Sequence, residues 1–414
     1  MRQQYKKPSY YSKLAIFAFG QMAFSAYGFL DNVSSENSVQ LGGFTRIYHE
    51  QHSETAYADT GIVQTLQGRL MHESRIENTL LIDAHYVLAW DGVAYKNSGQ
   101  VPDHLTFNNA QGLIERSGAF RISDIKDNYN LNSQHRLTQD VDRLVAHKAF
   151  DWGDIHFGRQ AITLGVSRFS QQSDVLYPVS FNNLQSDYRQ GVDAVRFEIP
   201  MGMLSVLDMA WVQGETKNDS AGFVRFKASL AELEYEVTAM QLHEDAMLTI
   251  SLQQSLHNTG LWQELSFIKD ENKSNKTYHR FSIGFDNTVS DFLISAEYYY
   301  NELGADQSDQ YMSKALSFNL YTKNAISFLA QQYLFVGANY LEGSQDNFSI
   351  NYAYNINDNS QLLSAVFNHN INATWDVNVQ TNLPISIGSQ AGDHKLSEFS
   401  QYFHSLSLNL SAMF

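Results

Sequence analysis

The stretch that decides the fold is the end of the chain: Ser405-Leu406-Ser407-Leu408-Asn409-Leu410-Ser411-Ala412-Met413-Phe414. Apolar side chains stand at every second position from Leu406 to Phe414, and mostly polar ones stand between them. Successive side chains of a β-strand point to opposite faces, so a period of two predicts a strand with one apolar face. The chain ends on an aromatic residue, which is unusual for a strand of a soluble domain.

The same alternation recurs earlier in the chain. Apolar residues alternate with mostly amide or hydroxyl residues at Leu248-Ile250-Leu252, Leu316-Phe318-Leu320, Phe348-Ile350-Tyr352-Tyr354 and Trp375-Val377-Val379. In a soluble sandwich the apolar face would cover a core, whereas in a membrane barrel it would meet lipid and the polar face would line the lumen. Alternation alone leaves both folds open, and the terminal strand favours the barrel.

Composition favours strands and excludes several classes of protein. The chain of 414 residues has 23 Tyr and 26 Phe but only 5 Pro, and aromatic rings suit a pleated surface. The absence of cysteine excludes disulfides, zinc–thiolate sites, iron–sulfur clusters and thiol nucleophiles. The net charge of −16 argues against a nucleic-acid partner, because such binding requires a basic surface.

The N-terminus has the features of an export signal. Basic residues at Arg2, Lys6, Lys7 and Lys13 precede an apolar run from Leu14, and small residues at Ala26 and Gly28 suit cleavage before Phe29. The apolar run is short for a transmembrane anchor, which needs about 20 residues. We therefore expect residues 1–28 to be a signal peptide and residues 29–414 to form the exported domain.

The C-terminal strand also resembles the C-terminal signature of bacterial outer-membrane proteins, which the barrel assembly machinery reads. The positions that match it are Leu406, Leu408, Leu410, Ala412 and Phe414. Together with the export signal, this resemblance predicts an all-β transmembrane antiparallel β-barrel in the outer membrane of a Gram-negative bacterium. Each strand needs roughly 10 residues, and a turn or loop follows it. The chain therefore supplies about 18 strands, within a range of about 16 to 20.

Turns and loops can be placed approximately. Gly, Asn and Asp tolerate the backbone angles of tight turns, which predicts turns at Pro200–Gly202, Asn355–Ser360 and Asn370–Asn372. Longer polar stretches at 92–139, 170–189, 301–314 and 388–401 predict extracellular loops or inserts into the lumen. The first of these is long enough to fold inward.

Two stretches resemble porin-like barrels related to the alginate-export type. The first has two parts, Gly158-Arg159-Gln160-Ala161-Ile162-Thr163-Leu164-Gly165 and the later Tyr188-Arg189-Gln190-Gly191-Val192-Asp193-Ala194. The second is the region from Tyr333 to the C-terminus. The resemblance implies an outer-membrane channel. It names no solute.

Charged residues crowd between Asp140 and Glu198. In hydrocarbon each would cost several kcal/mol, so those on strands should face the lumen. The candidates for a constriction are Arg143, Arg159, Arg168, Arg189, Arg196, Asp174, Asp193 and Glu198. Two interpretations stay open: opposed arginine and carboxylate walls that orient a polar or anionic solute, or an ion-pair network that serves the structure.

These observations predict a passive, porin-like channel for small polar or anionic solutes. The alternatives are a conduit that exports an alginate-like polysaccharide and a non-conducting structural or binding barrel. No catalytic signature with diagnostic spacing occurs, so we do not expect an enzyme. We expect no cofactor. We also expect no metal site, because His49 and His52 would point to opposite faces of a strand. The expected partners are outer-membrane lipid, the barrel assembly machinery, and a small polar solute or a polysaccharide.

Overall fold

The computed structural model describes residues 33–49, 60–77, 79–95, 120–122, 127–131, 134–177, 189–216, 219–242, 244–270, 276–322, 325–340, 345–386, 397–399, 402 and 404–414. The predicted signal peptide lies outside these residues. No helix among them is long and apolar enough to cross a membrane.

The described chain is a succession of strands. They are β1 (Val33–His49), β2 (Thr60–Ile76), β3 (Leu80–Tyr95), β4 (Asp127–Asn130), β5 (His135–Phe150), β6 (Gly153–Gln160), β7 (Val192–Pro200), β8 (Ser205–Val212), β9 (Ala221–Leu230), β10 (Leu233–Leu242), β11 (Asp245–Leu256), β12 (Thr259–Asp270), β13 (Thr277–Val289), β14 (Phe292–Asn301), β15 (Gln332–Tyr340), β16 (Asp346–Asn355), β17 (Ser360–Asn370), β18 (Trp375–Ser386) and β19 (His404–Met413). Three short helical pieces, Ser308–Gln310, Tyr311–Ala315 and Asn319–Thr322, lie between β14 and β15.

The sheet closes on itself. Neighbouring strands pair antiparallel along the chain, and β19 returns to pair with β1 from Gln40↔Met413 to His49↔His404. The short β4 pairs only with β5, while β3 pairs directly with β5, so 18 of the 19 strands form the closed barrel. Closure removes the sheet edges and pairs the backbone groups of the first and last strands. The predicted fold class and the strand number of about 18 are confirmed.

The outer face of the barrel is apolar and the inner face is polar. On β11, Leu248 and Ile250 are exposed on the outside, whereas Thr249 and Ser251, which alternate with them, are buried towards the lumen. The exposed apolar side chains continue around the barrel at Leu66, Leu88, Phe157, Trp211, Ile283, Leu334, Phe367 and Leu406. A continuous apolar outer surface on a closed barrel is the lipid-facing belt of a transmembrane β-barrel.

The two ends of the barrel differ. The start of β1, the end of β19 and the tight turns after β2, β7, β9, β11 and β13 lie at one end, and the strands joined by long connections, such as β6 with β7 and β14 with β15, meet these connections at the other end. Short turns are typical of the periplasmic end, and long loops of the extracellular end. The turns predicted at Pro200–Gly202 and Asn370–Asn372 lie at the short-turn end, and the one at Asn355–Ser360 lies at the other, so all three are confirmed.

Two sequence predictions about secondary structure are wrong. The alternation at Leu316-Phe318-Leu320 predicted a strand, but this segment lies in the helical connection between β14 and β15. There Phe318 and Leu320 are buried with Ile162 and Leu164 inside the barrel, so tertiary packing overrides the local period.

The loop predicted at 92–139 is also too long. β3 continues to Tyr95, β4 occupies Asp127–Asn130 and β5 begins at His135. β4 and the start of β5 have polar residues at neighbouring positions, as in Asp127-Asn128 and His135-Arg136, and this hides the alternation that identifies a strand.

Candidate functional site

A segment between β6 and β7 lies inside the barrel against the far wall. We call residues 161–177 the lumen insert. Its backbone and side chains contact lumen-facing residues of β10, β12, β13 and β14. The segment 170–189 that the sequence predicted as a loop or insert overlaps its second half, and residues 178–188 lie outside the described residues.

Glu264 of β12 holds the first part of the lumen insert. Its Oε1 accepts hydrogen bonds from the backbone N–H groups of Val166 and Ser167, the latter at 3.1 Å, and its Oε2 accepts one from Ser173 Oγ at 2.9 Å. Gly165 precedes these donors with φ +81°, and a Cβ there would collide with Glu264. Glycine is therefore the residue that allows the insert to approach the carboxylate this closely.

Glu297 of β14 holds the middle of the lumen insert. Its Oε2 accepts from the N–H groups of Arg168 at 2.9 Å and Phe169 at 3.2 Å, and its Oε1 accepts from that of Ser170 at 2.9 Å. The same Oε2 accepts from the indole Nε1 of Trp262 at 2.9 Å. Glu297 is only 1% exposed, so one buried carboxylate fixes both the insert and a tryptophan of the wall.

Backbone carbonyl groups of the insert are held by arginines of the wall. Arg225 Nη1 donates to the carbonyl oxygen of Thr163 at 2.9 Å, and Arg280 Nη1 donates to that of Gln172 at 2.9 Å. The ring of Phe169 also stacks on Phe335 of β15, with centroids 5.6 Å apart. The insert is thus attached through its N–H groups, its carbonyl groups and an aromatic contact.

Arg168 extends from the insert towards the lumen. Its guanidinium carbon lies 5.4 Å from the centroid of the Trp262 ring, and its Nη2 lies 3.5 Å from Asp286 Oδ2. The side chain is 49% exposed, which leaves much of its planar donor edge accessible to a solute. A guanidinium in this setting can bind a carboxylate through two parallel hydrogen bonds.

The predicted candidates on β6 and β7 are much more enclosed. Arg159 is 5% exposed and donates to both oxygens of Asp193, at 2.8 and 3.0 Å, and to the carbonyl oxygen of Val141 at 2.5 Å. It also lies 3.8 Å from Asp140, which pairs at 2.9 Å with Arg121. This arrangement is a dense ion-pair network with little of the Arg159 guanidinium accessible.

Arg196 and Glu198 belong to a second network. Arg196 contacts both oxygens of Asp208, at 2.8 and 3.0 Å, and Glu198 Oε1 at 2.6 Å. Glu198 also contacts His156 at 2.8 Å, and Asp208 is shared with Arg225. The charges therefore compensate one another across β6 to β9.

The remaining predicted residues form other ion pairs. Arg189 contacts the buried Asp174, and burial raises the pKa of Asp174 to about 7 although Arg189 lowers it. Arg143 lies 3.7 Å from Asp83 of β3. The eight candidates thus form several ion pairs rather than one pair of facing walls, and Arg168 is the most exposed of the five arginines among them.

Sequence reasoning missed the residues that hold the insert. Glu264, Glu297 and Trp262 lie outside the Asp140 to Glu198 region. A usable signal was present, because each is a large or charged residue on the face of its strand that points away from lipid, next to Leu265, Tyr298 or Leu261.

The predicted assembly strand forms the seam of the barrel. Leu406, Leu408, Leu410 and Phe414 are exposed on the outer face, while Ala412 is buried. The N–H and carbonyl groups of Phe414 both pair with Val39, each at 2.9 Å, and its ring meets Trp375 edge to face. The last residue therefore contributes backbone bonds to closure as well as an apolar side chain.

Comparison with known proteins places the fold. No protein-family model matches the chain, and no curated protein matches it in sequence. Solved structures do match. Acinetobacter baumannii OccAB3 shares 10% identity at a TM-score of 0.57, covering 92% of this chain and 99% of its own.

Two Pseudomonas aeruginosa structures are similarly related. OccK5 (OpdH) shares 10% identity at a TM-score of 0.56, covering 94% of this chain and 99% of its own. OpdQ shares 11% identity at a TM-score of 0.54, covering 92% of this chain and 98% of its own. At such identities the likeness concerns the fold: the chain shares the closed antiparallel β-barrel of these structures.

Proposed function

We propose that this protein is a passive outer-membrane channel for small polar or anionic solutes. The observation that carries the proposal is the half-exposed Arg168, held on an insert inside a closed barrel with a polar inner face. Such a barrel provides a path across the bilayer, and a cation at its narrowed part attracts and orients a solute that carries a carboxylate. In this proposal the predicted signal peptide directs export in a Gram-negative bacterium.

The local charge and the overall charge act at different distances. The chain has a net charge of −16, which favours cations at the mouths of the channel. Salt screens charges on exposed loops within about 8 to 10 Å, so they influence the narrow part weakly. We therefore expect weak cation selectivity in simple salt together with binding of a carboxylate at Arg168.

The structural neighbours share the barrel fold over almost the whole chain, and a closed barrel with a polar inner face supports a channel. An alginate-export conduit rests on the sequence resemblance alone. The insert and the helical connection after β14 both occupy the barrel interior, which favours small solutes over a polymer. Outer-membrane lipid around the apolar belt and the assembly machinery at the C-terminal strand are the proposed partners.

Planar-bilayer recording of the purified, folded protein tests this function. We expect stepwise currents that succinate, a small dicarboxylate, blocks in a concentration-dependent manner. Neutral glycerol at the same concentration is the control for a non-specific effect on current. A folded barrel that never conducts would support the non-conducting alternative, and block by an oligouronate but not by succinate would favour the polysaccharide conduit.

A further inference from the structure

We propose that Glu297 and Glu264 are positioning residues that set the aperture of the channel and hold Arg168 at it. The proposal rests on the channel function for its electrical consequences. Its structural part, that these carboxylates hold the lumen insert in place, can be measured without any current.

The carboxylates of Glu264 and Glu297 are buried and accept hydrogen bonds from the lumen insert. Glu264 and Glu297 are 2% and 1% exposed, and neither forms an ion pair with a described lysine or arginine. Each instead accepts three hydrogen bonds from the insert, and Glu297 accepts a fourth from Trp262. Hydrogen bonds to a charged acceptor are stronger than neutral ones, so two side chains account for much of the insert's attachment.

Glu297 also couples the insert to the wall beneath Arg168. One of its oxygens binds both the backbone N–H of Arg168 and the indole of Trp262. That indole is the ring against which the Arg168 guanidinium lies. Loss of Glu297 would free the backbone of Arg168 and the ring that supports its side chain together.

Glutamine cannot replace these carboxylates. It keeps the shape of glutamate, but one of its two oxygens becomes an NH₂ group, which is a donor and would face the N–H donors of the insert. Glu297→Gln and Glu264→Gln should therefore release the insert while changing the lumen charge by only one unit each. Glu234→Gln is the matched control, because Glu234 lies on the lumen face of β10, is exposed, and forms no hydrogen bond with the described residues of the insert.

The current-independent measurement is thiol labelling at a single introduced cysteine. The chain has no cysteine of its own, and the Oγ of Ser170, next to the Glu297 contact, is buried. In the Ser170→Cys background we expect slow labelling by a membrane-impermeant maleimide, and labelling faster by about tenfold after Glu297→Gln or Glu264→Gln. Glu234→Gln should leave the rate unchanged.

The electrical measurement then tests the aperture. Glu297→Gln should weaken succinate block by about tenfold and make the open current larger and noisier, whereas Glu234→Gln should change neither. Only protein with the mobility shift of a folded barrel on unheated gels is recorded. If Glu297→Gln does not fold, Glu297→Asp, which keeps the charge on a shorter side chain, should speed labelling in the same direction.

The outcomes separate the two proposals. Unchanged labelling and unchanged block in folded Glu297→Gln and Glu264→Gln would overturn the positioning role and leave the channel intact. Faster labelling in a protein that never conducts would support the positioning role and overturn the channel. Equal effects of Glu234→Gln would show that lumen charge, and not attachment of the insert, controls the current.

Discussion

Carboxylates inside this barrel are used differently on its two sides. On β8, Asp208 is clamped between Arg196 and Arg225, so its charge is compensated by side chains of the wall. On β14, Glu297 accepts instead from backbone N–H groups and an indole. The first arrangement makes a rigid wall with compensated charge. The second uses a carboxylate to hold N–H groups of the insert, and the Arg168 side chain on that part of the insert stays half exposed to a solute.

The largest expected effect concerns the ion-paired side. Arg159→Ala would leave the enclosed carboxylates of Asp193 and Asp140 without this partner, and breaking one half of a buried pair costs about 3–5 kcal/mol. We expect the temperature at which the folded band disappears on gels to fall markedly. Arg75→Ala, which removes a largely exposed arginine of β2, is the control and should change little. An equal temperature for Arg159→Ala and the wild type would mean that the network contributes nothing to stability.

A smaller effect is expected from a change at the seam between β19 and β1, which closes the barrel. Removal of Phe414 deletes two backbone hydrogen bonds to Val39 and the contact with Trp375. We expect the amount of folded protein in the outer membrane to fall several-fold, as measured by immunoblot of membrane fractions. Met413→Ala, which alters the neighbouring side chain and keeps the terminal aromatic, is the control. A normal level without Phe414 would make the terminal pattern incidental.

The smallest effect concerns the aromatic contact of the insert. Phe169→Ala removes a stacked pair, which is worth about 0.5–1.5 kcal/mol beyond its buried area. The carboxylate contacts remain, so we expect noisier open currents with less than about a twofold change in mean conductance. The lipid-facing Phe348→Ala is the control. A collapse of conductance would assign the insert's position to Phe169 rather than to Glu264 and Glu297.

Much of the fold could be predicted because its signals are local. The alternation at Leu248–Leu252 and Leu406–Phe414 lies within single strands, and the turns at Pro200–Gly202 and Asn370–Asn372 depend on a few adjacent residues. The Leu316–Leu320 window failed because its side chains pack on residues far away in the sequence, such as Ile162.

The site could be predicted only in part. Composition indicated a charged region between Asp140 and Glu198, but not which arginines would be paired. The bonds that hold the insert join residues 98 and 127 positions apart, as in Val166 with Glu264 and Ser170 with Glu297. No local period encodes such a contact, because it depends on how the closed barrel brings the insert against strands that follow much later.

Succinate block of the wild type and of Arg168→Ala, recorded at one fixed salt concentration, tests the central claim most directly. Because Arg168 is the accessible guanidinium, we predict that its loss weakens block about tenfold and shifts the reversal potential towards cations. The temperature at which the folded band disappears should stay the same, since the exposed pair with Asp286 adds little stability. The account would be contradicted if Arg168→Ala left the block and the reversal potential unchanged, while folded Arg159→Lys abolished the block and shifted the reversal potential. Solute binding would then belong to the enclosed network.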